Sequence, residues 1–97
     1  MYLVSLTYLK PFSEVERFLE AHRAFLVEQY AAGAFLLSGP KDPRTGGVIV
    51  AVEMPLERLQ SILDKDPFHL NGVAAYEVQR FVPLMTAEAL AHLKEER

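Results

Sequence analysis

The stretch AFLLSGPKDPRTGGVIVAVEM, residues 34–54, joins two short apolar runs through a connection dense in proline and glycine. AFLLSG (34–39) and VIVAVEM (48–54) are predicted to be strands, and PKDPRTGG (40–47) between them to be a turn-rich hairpin connection. Helical patterns flank the pair. On the N-terminal side, SEVE (13–16) reads as a capping box in which Ser13 accepts from the amide of Glu16 while Glu16 reaches back. Apolar positions at Val15, Phe18, Leu19, Phe25 and Leu26 continue that helix until it closes near Gly33. On the C-terminal side, Pro55 suits the first position of a second helix with Leu56, Leu59, Ile62 and Leu63 as its stripe.

Further out, YLVSLTYL (2–9) is β-branched and aromatic and too short to stand as a helix, so it is predicted to be the first strand, broken by KPF (10–12). DPFHLNG (66–72) reads as one helical turn and AAYEVQRFVPL (74–84) as the fourth strand. TAEALAHLKEER (86–97) reads as a C-terminal amphipathic helix capped by Thr86. The order is strand, helix, strand, strand, helix, strand, and then a tail. That is the α+β, ferredoxin-like arrangement: a four-stranded antiparallel sheet with two helices on one face, in a single domain over 1–97 with a core at 1–84 and a helical extension at 85–97. A sheet covered on one side should alternate apolar and polar residues, yet the first strand is apolar at Tyr2, Val4, Leu6 and Tyr8 and again at Leu3 and Leu9. The third strand puts Val48, Val50 and Val52 on one side and Ile49 and Ala51 on the other. Two copies packed sheet to sheet would bury the second face, and a C-terminal helix folded across it is the competing arrangement.

Composition narrows the functional classes. The 97 residues are 51% hydrophobic with a net charge of -3 and no Lys/Arg run, so the electrostatic footprint of a nucleic-acid or polybasic membrane partner is missing. With no cysteine there is neither a disulfide nor a thiolate nucleophile or metal ligand. The first ten residues lack the features of a leader, and no apolar run approaches a membrane span, so a cytoplasmic protein is the expectation.

His22 falls three residues after Leu19 and four after Phe18, on the core-facing stripe of the first helix, where a leucine would pack. It is either a core histidine satisfied by a carbonyl or a general base in a pocket between helix and sheet. Asp66 is competent as an N-cap ahead of Pro67, and a capping carboxylate still has lone pairs for another donor. Ser38 lacks a G-x-S-x-G elbow, so a turn-forming or hydrogen-bonding role is favoured over a nucleophile. Lys41 and Arg44 either draw an anion to a pocket mouth or are solvated charges on the hairpin. His69 would complete a three-ligand set with His22 and Asp66, but the spacing matches no metal signature, and no metal or other cofactor is expected. His92 has no role, and periodicity leaves open which sheet face Tyr8 and Arg80 use.

The histidine on the first helix, SGP (38–40) at the end of the second strand and DPF (66–68) after the second helix together resemble the YCII-related (YciI-like) family, over nearly the whole chain up to the fourth strand. The resemblance implies a ferredoxin-like homodimer joined through its sheets, in the manner of the dimeric α/β barrels, and an active-site pair of His22 and Asp66. It further implies that Ser38, Gly39 and Pro40 form a strand-end element of the substrate site, with Pro67 and Phe68 supporting the acid. Most members have no assigned function. A few related proteins act on small ring compounds, one of them removing chloride from a chlorinated hydroxyhydroquinone, and muconolactone isomerases share the wider fold. The extension after Leu84 departs from the short family pattern. The expected function is a small-molecule enzyme with a His/Asp acid-base pair acting on a cyclic or unsaturated acidic compound by elimination, isomerisation or hydrolysis. The alternative is a dimeric module that binds a metabolite without turning it over.

Overall fold

Burial with a period of two along residues 2–8 sets the frame: Tyr2, Val4 and Leu6 lie in the core with Val15, Phe25, Leu59, Leu63 and Phe68, while Leu3 and Thr7 are exposed on the opposite side. The structure, a computed structural model, describes residues 1–96. Its elements run β1 (Tyr2–Tyr8), α1 (Phe12–Glu16), α2 (Leu19–Ala31), β2 (Phe35–Pro40), β3 (Gly46–Ala51), α3 (Leu56–Leu63), α4 (Pro67–Leu70), β4 (Ala74–Arg80) and a 3-10 helix (Glu88–Leu93). The four strands form one antiparallel sheet in the order β2-β3-β1-β4. This is the ferredoxin-like α+β arrangement that the order of the elements predicts.

Register decides which side chains share a face. Val4 opposes Ile49 on one side and Val78 on the other, beneath the helices. Leu3 opposes Val50, which opposes Leu37 in turn, so an apolar row crosses the second face, where Leu3 is 40% and Leu37 60% exposed. No helix of the described residues is long and apolar enough to cross a membrane.

The strand ends differ from the sequence reading for specific reasons. β3 starts at Gly46, two residues earlier than expected, because Gly46 runs close beneath β1: a Cβ there would lie 1.8 Å from the Leu6 carbonyl oxygen. Gly46→Ala should therefore force β1 and β3 apart and cost about 1–3 kcal/mol, as overpacking does, measured as a lowered urea midpoint at unchanged slope. An unshifted midpoint would mean that the strands part freely. β3 ends at Ala51 because the Val52 amide turns to the Ala34 carbonyl, 3.0 Å away. β4 stops at Arg80 rather than running to Leu84, since Arg80 already opposes Tyr2, the first residue of β1.

The first helix is two helices. Pro11, not Ser13, holds the N-cap position, and its carbonyl accepts from the amides of Glu14 and Val15, so Ser13 is already inside α1 and the capping box does not form. At Phe18 the amide bonds three residues back, to Val15, and α2 restarts with the His22 amide on the Phe18 carbonyl. The C-terminal α-helix expected over 86–97 is a 3-10 helix of six residues that lacks a side-chain cap, with Ala87 rather than Thr86 at its N-cap position; residue 97 lies outside the described residues. It buries none of its residues, and so short a segment without an apolar surface to pack on does not hold an α-helix. It therefore does not cover the second sheet face. Instead the tail is tied to the other end of the chain: the Glu95 amide donates to the Pro83 carbonyl and its carboxylate takes the Met1 ammonium at 3.2 Å.

Candidate functional site

α4 is a single turn, and its start is chemically specified. Asp66 caps it by accepting the Phe68 amide on Oδ1 at 3.0 Å, and Pro67, with no amide hydrogen to satisfy, takes the first helical position. The turn ends at Asn71, and Gly72 at φ 64° adopts the left-handed geometry that leads the chain into β4. Capping fixes the Asp66 carboxylate at full burial, beneath α2, where His22 meets it: Nδ1 lies 2.7 Å from Oδ1. The other oxygen, Oδ2, accepts from the Tyr76 hydroxyl at 2.6 Å. Three donors from three elements thus converge on one buried carboxylate, which is how a charge out of water is sustained.

The geometry also assigns the imidazole. An ionised carboxylate only accepts, so Nδ1 carries the hydrogen, and in the neutral ring Nε2 holds the lone pair. His22 lines a cavity of about 240 Å³, and among the described residues no buried side-chain nitrogen or oxygen lacks a partner. Among the described residues Nε2 makes no hydrogen bond, and it keeps some exposure on a ring that lines the cavity. Phe68 holds the ring in place, stacked nearly parallel to it with centroids 3.9 Å apart and interplanar angle 4°. Tyr8 meets Phe68 edge-on at 6.1 Å.

Burial, together with the Asp66 carboxylate it donates to, pushes the Tyr76 phenol well above its ordinary range, so it stays protonated and remains a donor. Below the unfolded phenol's pKa of about 10 this contribution to stability is fully present; it is lost as pH rises further, because the unfolded chain releases its proton first. Tyr76→Phe leaves Oδ2 buried without its donor and should cost about 1–3 kcal/mol near neutral pH, with a shallower loss of stability above pH about 10 than in wild type. Parallel denaturation curves from pH 7 to 11 would refute this if the two proteins kept a constant difference across the range.

The cavity lies between α2 and the end of the sheet where β2, β3 and β1 run side by side. Its apolar wall includes Leu6, Leu19, Leu26, Ile49 and Phe68, and its polar side chains are His22, Ser38, Tyr8, Arg23 and Arg44. Ser38, Gly39 and Pro40 all border it, and the Ser38 hydroxyl is engaged in a short hydrogen bond with Tyr30. Arg44 also borders it, whereas Lys41 does not. Arg80 lies elsewhere, paired with Glu53. His69 does not join His22: its Nε2 is 3.5 Å from Asp64, and its ring stands edge-on to Tyr76. The described residues contain no group of three or more His, Asp and Glu side chains placed to hold a metal ion. His92 borders a separate depression beside Met1 and Glu95.

Two contributors escaped the sequence reading. Tyr76 shares its sheet face with Ala74 and Val78, so alternation along β4 was the signal that could have placed it toward the helices. Arg23 lines the cavity although it lies off the apolar stripe of α2, and nothing in the local pattern marks it.

The family model of the YCII-related domain matches residues 1–82. Among solved structures, the 5-chloro-2-hydroxyhydroquinone dehydrochlorinase of Burkholderia phenoliruptrix, in complex with 2,5-dihydroxybenzoquinone, superposes with a TM-score of 0.66 at 23% identity, covering 86% of this chain and 95% of that one. At that identity the likeness establishes a shared fold. No curated protein sequence matches the chain significantly.

Proposed function

Because the chain belongs to the YCII-related domain family, and the matched residues 1–82 contain every group around the cavity, we propose that it is a small-molecule enzyme in which His22 and Asp66 act as an acid-base pair. The observation that carries this reading is the unpartnered Nε2 of a buried, carboxylate-oriented imidazole facing a cavity. Nε2 takes a proton from the bound compound, and Asp66 Oδ1, still accepting from Nδ1–H, stabilises the imidazolium that forms. The electron pair released by deprotonation then forms a double bond as a leaving group departs, or shifts along an unsaturated system while the proton returns elsewhere. Water activated at the same nitrogen would give hydrolysis instead. Ser38, Gly39, Pro40 and Phe68 bound the space the substrate fills.

Water occupies about 30 Å³ per molecule in the liquid, so a cavity of about 240 Å³ displaces on the order of eight waters, which suits a single substituted ring. The dehydrochlorinase that shares the fold acts on such a ring, which supports a cyclic or unsaturated acidic compound as the substrate class. The apolar row Leu3, Val50 and Leu37 on the second sheet face supports a homodimer packed sheet to sheet. The function is tested by screening wild type against chlorinated hydroquinones, catechols, lactones and their acids for turnover and for binding. Turnover that is lost in His22→Gln supports the enzyme. Binding without turnover across the panel makes the protein a metabolite-binding module.

A further inference from the structure

Two exposed arginines border the cavity from different elements, Arg23 on α2 beside His22 and Arg44 in the connection between β2 and β3. Of the described arginines away from the cavity, Arg17 holds Glu14 and Arg80 holds Glu53, while Arg58 forms no ion pair. Neither Arg23 nor Arg44 forms an ion pair among the described residues. Arg44 is nonetheless held, its guanidinium 4.8 Å from the centre of the Phe12 ring, and Phe12 in turn packs at 6.1 Å from Tyr8, another residue of the cavity wall. Two arginines without an ion pair among the described residues, one of them positioned by an aromatic face, thus border a cavity whose other polar side chains are Ser38, Tyr8 and His22.

We propose that Arg23 and Arg44 form a subsite for a carboxylate on the substrate, which rests on the reading of this cavity as a small-molecule site and adds to it the group that the substrate must carry. A carboxylate is flat and presents two oxygens, the shape that a guanidinium fork pairs with. Anchoring it between the two arginines leaves the rest of the molecule against Leu6, Leu19, Leu26 and Ile49, on the His22 side of the chamber. Charge at the mouth thus sets orientation, and the apolar wall sets size. The substrate class becomes a carboxylated ring or short unsaturated acid, rather than a neutral quinone or phenol.

The test uses benzoate and its neutral counterpart benzamide as probes, with affinity read from the NMR shifts of the His22 ring. Wild type should bind benzoate at least about tenfold more tightly than benzamide, the order expected for one charge-assisted contact. Arg23→Gln and Arg44→Gln should each weaken benzoate by about tenfold and leave benzamide within about twofold. Arg17→Gln, which removes the same charge from an exposed position off the cavity, should change neither. Equal affinity for the two probes, or benzoate binding that both cavity variants retain, overturns the subsite while leaving the cavity reading intact. Inorganic phosphate displacing benzoate more strongly than acetate does would overturn the assignment to a carboxylate. If neither probe perturbs His22, the small-molecule reading of the cavity falls together with the subsite.

Discussion

Asp66→Ala should destabilise the protein by about 3–5 kcal/mol, the order expected when several buried donors lose one acceptor and a helix loses its cap together. The size follows from what the carboxylate serves. It is wholly buried, and its loss strands the Phe68 amide, the His22 Nδ1–H and the Tyr76 hydroxyl at once, while α4 loses its cap. Asp66→Asn should behave differently, for a geometric reason. The amide oxygen can keep the two donors that share Oδ1, and the amide nitrogen can donate to Tyr76, whose hydroxyl accepts as readily as it donates. The asparagine variant should therefore hold the fold to within about 1–2 kcal/mol of wild type and remove only the negative charge. Urea denaturation of the two variants gives the comparison. A loss below about 1 kcal/mol in Asp66→Ala would mean that water reaches these donors and that the carboxylate is not what holds them.

His22→Gln should lower kcat by about 10²–10⁴-fold on any compound that wild type turns over, the usual contribution of a positioned acid or base, with ligand affinity changed only a few-fold. Glutamine is chosen because its amide can still donate to Asp66, so the buried carboxylate keeps its partner while the basic nitrogen disappears. Pairing the turnover assay with a binding titration separates the two roles: a fall in kcat at constant affinity is catalytic, and a parallel loss of both is structural. A variant as active as wild type would remove His22 from the mechanism altogether. Before any substrate is identified, ¹⁵N shifts of the imidazole provide a check, since wild type should show the hydrogen on Nδ1. A hydrogen on Nε2 instead would mean that Asp66 does not orient the ring.

Much of the fold was legible because its signals are local. Strand alternation, the DPF start of α4 and the turn chemistry of residues 40–47 act within a few residues of themselves, and Pro55, expected at the first helical position, lies one residue earlier as the N-cap of α3. The misreadings were local signals overruled by neighbours. Pro11 displaced the Ser13 capping box, close approach of β1 began β3 at Gly46 rather than Val48, and the C-terminal stripe found no surface against which to become an α-helix. For the site, periodicity alone put His22 on the inward stripe and capping chemistry put Asp66 at the head of a turn, but each kept an ordinary structural reading; only family resemblance joined them.

By itself, then, the sequence determined the order of the elements, the inward face of His22 and the capping role of Asp66, since side-chain spacing along a helix and the needs of a helix start are properties of a few adjacent residues. Tertiary structure decided that these two groups, 44 residues apart, share a hydrogen bond, that Tyr76 completes the carboxylate's shell, and that Arg23 and Arg44 border the same space. Those contacts depend on the break at Phe18, the strand order β2-β3-β1-β4 and the packing of α4 beneath α2. Each is a long-range balance of burial and register that no short window of residues carries.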